Sequence, residues 1–140
     1  MSLTLKQTPL QKKKIVYSDF DINFDIHPLT GDIPRITNEE SVKRSIRNII
    51  LTGLYERPYE PTVGSNLASV LFDQATDESS MSLGENIIIQ TIQDNERRID
   101  KISARLQLQP DNNQMTATII FTLINNSTEF SFDLLLRRVR

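Results

Sequence analysis

Acidic side chains are the residues of this sequence whose types could support catalysis. The 140 residues contain 18 Asp and Glu, one histidine and no cysteine. The lack of cysteine excludes a thiolate nucleophile, thiolate zinc sites and iron–sulfur clusters, and the single His27 excludes a site built from several histidines. One chemistry that these residue types could still support is a pair of carboxylates, of the kind that hydrolyses glycosidic bonds.

Glu56, Glu60 and Glu96 are the candidates for such a pair. In a glycosidase the two carboxyl groups lie roughly 5 to 10 Å apart, and a dry environment keeps one of them protonated. Glu56 and Glu60 lie beside Arg57 and two prolines in a polar segment, where water keeps carboxylates ionised. The sequence therefore favours a structural role for these acids, and a hydrolase is the alternative.

A run of alternating oxygen-bearing side chains resembles the first positions of a calcium-binding EF-hand loop. The run consists of Asp19, Asp21, Asn23 and Asp25. Such a loop requires glycine at its sixth position and a bidentate acid at its twelfth, where this chain has Phe24 and Thr30. We therefore expect no metal and no other cofactor. Because apolar residues alternate with the acids over residues 19–26, we predict a half-buried strand or an extended segment lying on another surface.

The charge balance argues against nucleic acid and membrane as partners. The formal net charge is −2, which is not typical of a nucleic-acid-binding domain, and apolar runs such as residues 87–89 are far too short to cross a bilayer. Both ends of the chain are nevertheless basic, through Lys6, Lys12, Lys13, Lys14, Arg137, Arg138 and Arg140. These ends are either solvated or serve as arms that dock on acidic neighbours.

A charged corner, Glu96, Arg97 and Arg98, lies at the junction between a predicted helix and a predicted sheet. A solvated turn is the simplest interpretation. The alternative is an ion-pair site for another protein, because the carboxyl end of a helix favours cations and arginine forks fit a carboxylate. On that hypothesis, reversing the charge of Glu96 or Arg98 leaves the chain folded but blocks assembly.

A double-proline segment with one glycine connects two predicted helices. Pro58 and Pro61, with Arg57 before them, predict a stiff, ordered connection, and Gly64 is expected to take a left-handed conformation. A short helix is predicted from residue 65 or 66 to residue 72. Its apolar residues include Leu67, Leu71 and Phe72.

Two longer elements before the sheet have helical periodicity. The first is predicted to start at a capping box formed by Thr37 and Glu40, and its apolar face consists of Val42, Ile46, Ile49, Ile50 and Leu54. The second is predicted over residues 81–94, with Ser82 and Glu85 as another capping box. Residues 1–36 are predicted to form an extended arm and turns.

The periodicity changes to two in the last third of the chain. Residues 102–109, 116–124 and 128–136 are predicted to form a three-stranded antiparallel meander, which makes residues 37–140 a single α+β domain. The apolar side chains of the last strand, from Phe130 to Leu136, should face the helices. Ser131 and Asp133 should point outward on an edge that is open to a strand from a neighbour.

The double-proline segment also resembles a known family. Its pattern of arginine-proline, then proline, glycine and Leu-x-x-x-Leu-Phe is similar to that of the baseplate wedge proteins of contractile phage tails. The same family contributes to type VI secretion baseplates and is often labelled lysozyme-like. The resemblance extends over residues 37–136. Family members carry Glu-Pro-Arg before the first sheet strand, where this chain has Glu96, Arg97 and Arg98 and so lacks the proline.

The resemblance implies a structural protein of the virion baseplate, similar to the conserved core of the tail sheath subunit. It implies no enzymatic activity and no cofactor. Its partners would be the tail sheath subunit and other wedge proteins, in multiple copies around a six-fold baseplate, and its role would be to seed sheath polymerisation. The alternatives are a tail-associated peptidoglycan hydrolase acting through Glu56, Glu60 or Glu96, and an adaptor in a bacterial complex without sheath contact.

Overall fold

The computed structural model describes residues 17–67, 78–109, 114–124 and 126–137. The chain divides into two compact units, Met1–Asn38 and Glu39–Arg140, so the division falls two residues after the predicted one. Residues 1–16 of the predicted arm, and Leu71 and Phe72 of the predicted short helix, lie outside the described residues.

The first unit contains a short antiparallel hairpin. Strand β1, Ser18–Phe20, pairs with strand β2, Arg35–Thr37. The strand predicted over residues 19–26 is therefore wrong beyond Phe20, because the Asp21 carboxylate accepts a hydrogen bond from the Asn23 amide at 3.1 Å. Such side-chain bonds compete with strand pairing. The apolar residues of this segment are all exposed, namely Phe20, Ile22, Phe24 and Ile26.

Helix α1, Glu39–Leu51, opens the second unit. Two acids in its first turn, Glu39 and Glu40, suit the positive end of the helix dipole. The predicted apolar face is confirmed for Val42, Ile46, Ile49 and Ile50, which are buried. Leu54 lies beyond the helix and is 40% exposed, so its predicted place on that face is wrong.

The predicted capping box of α1 is also wrong. Thr37 belongs to β2, and Asn38 precedes the helix. The Asn38 side chain accepts a hydrogen bond from the Tyr17 amide at 3.2 Å, and the Asn38 amide donates to the Tyr17 carbonyl at 2.8 Å. Thr37, which the local pattern predicts as a cap, is therefore part of the hairpin and does not cap the helix.

Helix α2, Glu78–Asn95, begins three residues before its predicted start. Ser82 and Glu85 consequently lie inside the helix and do not form its cap, which corrects that prediction. Ile88 and Ile92 are fully buried, whereas Leu83 is 56% exposed. Neither described helix has the combination of length and apolar composition needed to cross a membrane.

The predicted meander is confirmed. Strands β3, Ile99–Gln109, β4, Gln114–Leu123, and β5, Asn126–Arg137, form an antiparallel sheet in that order. One face of the sheet is buried, because α2 packs against β3 and α1 packs against α2 and β5. The buried residues of this face are Leu106, Met115, Ala117, Ile119, Phe121, Leu123, Leu134 and Leu136. Thr122, on the other face, is also buried, and its hydroxyl accepts a hydrogen bond from the Lys101 amide at 3.2 Å. The α+β prediction is therefore confirmed.

Candidate protein-binding surfaces

The charged corner contains a two-pronged ion pair within the chain. The Arg98 guanidinium donates from Nε to Glu96 Oε1 at 2.7 Å and from Nη2 to Glu96 Oε2 at 2.5 Å. Its Nη1 donates to the hydroxyl of Ser41, a buried residue of α1, at 3.3 Å. Glu96 is 6% exposed. The pair thus joins the end of α2 to the first turns of α1.

The surroundings of Glu96 keep its carboxylate ionised. Burial by itself would raise the pKa of Glu96, but hydrogen bonds from Arg98 and Ser45, together with the positive charge of Arg98, outweigh burial and hold the pKa below its ordinary value of 4.5. Glu96 is therefore suited to holding a cation and unsuited to donating a proton as a general acid.

Because of this internal ion pair, the charges of Glu96 and Arg98 are already compensated within the chain. Glu96 and Arg98 bind each other, so reversing the charge of Glu96 should place two cations together and destabilise the fold. That corrects the expectation that such a variant folds normally. Arg97, which takes the place of the family's proline, is exposed and makes no hydrogen bond or ion pair with the part of the chain described here. Binding of a partner by Glu96, Arg97 and Arg98 stays a prediction.

The three candidate glutamates have different surroundings, since Glu96 is buried whereas Glu56 and Glu60 are exposed. Glu56 lies in an exposed loop and accepts a hydrogen bond from the Gly53 amide at 2.8 Å, and Glu60 is exposed in the same loop. A pocket of about 370 Å³ lies between this loop and α2, and among the described residues that line it Asp94 supplies the one carboxylate. Within the described ranges, no cluster of His, Asp and Glu could hold a metal ion.

The double-proline segment is a closed loop, residues 53–65, held at its base by the backbone. Ser65 donates its amide to the Thr52 carbonyl at 2.8 Å and its hydroxyl to the Ile50 carbonyl at 2.6 Å. Nearer the tip, the Tyr55 amide donates to the Pro61 carbonyl at 2.9 Å. The tip is exposed, and it includes Arg57, Pro58 and Pro61.

Gly64 and Leu67 anchor the second half of this loop. Gly64 is buried and has a positive φ of 144°, which lies in the left-handed region expected for it and favours glycine. A β-carbon at this position would lie 2.7 Å from the Gly53 carbonyl oxygen. Leu67, 2% exposed, fixes the chain just beyond the loop.

The two edges of the sheet differ. On the β3 edge, the Leu106 amide donates to Oε1 of Glu85 on α2 at 2.9 Å, so a helix side chain occupies a backbone donor that an added strand would need. On the β5 edge, no described element pairs with the strand. Sequence reasoning missed Glu85 because its partner lies 21 residues away.

The direction of each β5 amide follows from that same hydrogen bond. Because the Leu106 amide points away from β4, Leu106 and Ala117 form a non-hydrogen-bonded pair, and Ala117 must exchange its hydrogen bonds with Leu134 on β5. Hydrogen-bonded and non-hydrogen-bonded pairs then alternate along β5, because the register has no shift between Gln114 and Thr122 of β4. The amides that point to the open edge are those of Glu129, Ser131, Asp133 and Leu135.

A side-chain contact supports this assignment. Side chains approach most closely in non-hydrogen-bonded pairs, and Thr118 Oγ1 donates to Asp133 Oδ1 at 2.7 Å. Ser131 and Asp133 are both exposed. The structure therefore places both residues where the sequence predicted them, on the outward positions of an edge strand.

Comparison with known proteins identifies the family. A family model described as "Baseplate wedge protein gp25" matches residues 37–128. The chain is 29% identical to baseplate wedge protein gp25 of Enterobacteria phage T4 over 111 residues, which cover 79% of this chain and 83% of the phage protein. The region matched by the family model includes the double-proline loop, the charged corner, and strands β3 and β4.

Solved structures share the fold. A candidate tail lysozyme from Geobacter sulfurreducens aligns with a TM-score of 0.66 at 21% identity, over 73% of this chain and 92% of that one. A chain of the type VI secretion baseplate complex gives 0.57 at 12% identity, over 70% and 93%. A chain of the six-fold symmetrised anti-feeding prophage baseplate gives 0.53 at 16% identity, over 89% and 87%. This chain belongs to the gp25 family of baseplate wedge proteins.

Proposed function

We propose that this chain is a structural subunit of a contractile-tail baseplate that joins other wedge subunits and starts sheath polymerisation by accepting a sheath strand along β5. As a member of the gp25 family it is a baseplate wedge protein. Its partners are then wedge subunits and the tail sheath subunit, with several copies arranged around the six-fold axis that the prophage baseplate has.

The observation that carries the proposal is the difference between the two sheet edges. On the β3 edge, Glu85 of α2 occupies the outward Leu106 amide, whereas no described element pairs with β5, along which four amides point outward. A subunit that repeats along a polymer needs two complementary contacts, whereas a subunit that starts a polymer needs one. An added strand would gain main-chain hydrogen bonds at every second residue of β5.

The charged corner and the double-proline loop are proposed as contacts to other wedge subunits. Arg97 supplies an exposed cation at the corner, and it forms no ion pair with the residues that the structure describes. The loop tip is exposed, but the Ser65 amide closes the loop at its base and the Tyr55 amide closes it nearer the tip, so binding there requires little further ordering.

Proline at Ser131 tests strand addition. Ser131→Pro removes one outward amide and leaves the β4 hydrogen bonds in place, so this protein should fold, join the baseplate and leave tails without a sheath. Ser131→Ala is the matched control, because it keeps the amide, and its tails should be sheathed. Electron microscopy of tails gives the readout. If tails built on the proline variant are sheathed, strand addition along β5 is wrong. The function that then remains is that of an adaptor that does not contact the sheath at this edge.

The similarity to a candidate tail lysozyme makes peptidoglycan hydrolysis the second function to test. We propose that the chain lacks this activity, since Glu96 is held ionised by Arg98 and Glu56 and Glu60 are exposed. Wild-type protein should not clear a cell-wall suspension. Clearing that is lost in a folded Glu56→Gln, Glu60→Gln or Glu96→Gln variant would establish the hydrolase instead.

A further inference from the structure

The rows of residues across the solvent face of the sheet place Arg105 on β3 and the carboxylates Asp133 and Glu129 on β5. Arg105 on β3, Thr118 on β4 and Asp133 on β5 lie opposite one another in one row across the sheet. Another row places Thr122 of β4 opposite Glu129 of β5. The β5 edge therefore presents two carboxylates on this face, four residues apart, with the neutral Ser131 between them.

Both carboxylates can accept further hydrogen bonds. Asp133 accepts from the Thr118 hydroxyl, and a carboxylate has about four acceptor positions. Glu129 makes no hydrogen bond or ion pair with the residues that the structure describes, and its side chain is exposed.

The opposite face of β5 is apolar and incompletely covered at one end. Leu134 and Leu136 are each 3% exposed, whereas Phe130 and Phe132 are only partly buried. The ring of Phe121 supports both phenylalanines from β4, with centroid separations of 5.8 and 6.3 Å. An added strand could thus bury apolar side chains beside Phe130 and Phe132.

These two faces define the strand that fits. In a paired strand, the residues opposite Glu129 and Asp133 are four apart on the solvent face, and the residues opposite Phe130 and Phe132 alternate with them on the core face. We infer that the β5 edge selects a strand with the pattern basic-apolar-any-apolar-basic. The inference rests on the proposed strand addition, and it names the chemistry of the partner segment.

Two matched peptides test the pattern against the full chain. The first is Ser-Thr-Lys-Val-Thr-Val-Lys-Thr-Ser, and the second has Glu in place of both Lys. Opposite charges across a strand pair stabilise it and like charges destabilise it, so the lysine peptide should bind tighter by about tenfold or more at low salt. The preference should shrink as salt is raised. Fluorescence anisotropy of labelled peptides measures both affinities.

Variants of the chain separate this inference from the proposed function. Glu129→Lys combined with Asp133→Lys should invert the preference, and Ser131→Pro should abolish binding of both peptides while circular dichroism shows an unchanged fold. Equal binding of both peptides, lost in Ser131→Pro, would overturn the charge pattern and leave strand addition standing. If neither peptide binds, or if the peptides bind the wild type and Ser131→Pro equally well, both the charge pattern and strand addition along β5 are wrong.

Discussion

At the scale of single residues, the Glu96–Arg98 pair makes folding stability depend on pH. The pKa of Glu96 in the folded chain lies below its ordinary value of 4.5, so the unfolded state binds the proton more readily. The stabilisation is therefore fully present above pH 4.5 and is lost as the pH falls through the folded-state pKa.

Glu96→Gln tests this dependence. Near neutral pH the variant should be less stable than the wild type by about 1 to 3 kcal/mol, because the charge-assisted hydrogen bonds to Arg98 are replaced by neutral ones. The difference should narrow below pH 4.5. Denaturant unfolding over a pH series measures it, and a difference that stays constant into the acid range would contradict the assignment.

Arg97 and Arg98 should respond differently to charge reversal although they are adjacent. Arg98→Glu puts a second carboxylate beside the buried Glu96 and should lower the melting temperature. Arg97→Glu changes an exposed side chain, so stability should stay within about 0.5 kcal/mol while incorporation into baseplates falls. Thermal melts and co-sedimentation with tails give the two readouts. Normal incorporation of Arg97→Glu would show that the corner is a solvated turn.

At the scale of elements, the double-proline loop depends on one glycine. A β-carbon on Gly64 would lie 2.7 Å from the Gly53 carbonyl oxygen and 2.8 Å from that of Thr52, at a φ of 144°. Gly64→Ala should therefore destabilise the chain by about 1 to 3 kcal/mol. Gly53→Ala is the control, since its β-carbon would meet only Glu56 Oε2, at 3.5 Å. Equal denaturation midpoints for the two variants would remove the argument.

Elements with long, regular periodicity could be predicted from the sequence. The three strands of the sheet and the buried face of α1 follow from apolar residues at periods of two and of about three and a half. Short-range signals were less reliable, because strand pairing and helix extension compete with them. Thr37 has the residue type of a cap but pairs with Ser18 in the hairpin, and Ser82 is enclosed by a helix that starts earlier.

The candidate surfaces could be predicted only in part, because their geometry depends on contacts between distant residues. The outward position of Ser131 and Asp133 followed from alternation along β5. The carboxylate of Glu85, by contrast, reaches an amide 21 residues away, and the Glu96–Arg98 pair is buried against Ser41, which is 57 residues from Arg98. No local pattern encodes those contacts, so the occupied Leu106 amide and the internal ion pair could be found only in the structure.

At the scale of the whole molecule, the occupied Leu106 amide on the β3 edge affects how copies of the chain can associate. A free β3 edge would let the β5 edge of one copy pair with the β3 edge of the next, and such a head-to-tail contact propagates without closing. The bond from the Leu106 amide to Glu85 opposes this pairing. Glu85 is thus expected to oppose self-association of the chain through its sheet edges.

Glu85→Ala tests this role. The substitution leaves the Leu106 amide without its acceptor, which should cost about 1 to 2 kcal/mol of stability and should increase concentration-dependent association in sedimentation velocity. Glu85→Gln keeps an acceptor oxygen and should behave like the wild type. If the association joins β3 to β5, Ser131→Pro added to Glu85→Ala should suppress it, because the outward amide of the second edge is then gone. Sedimentation of Glu85→Ala identical to that of the wild type would show that the body of α2 covers the β3 edge without the Glu85 hydrogen bond.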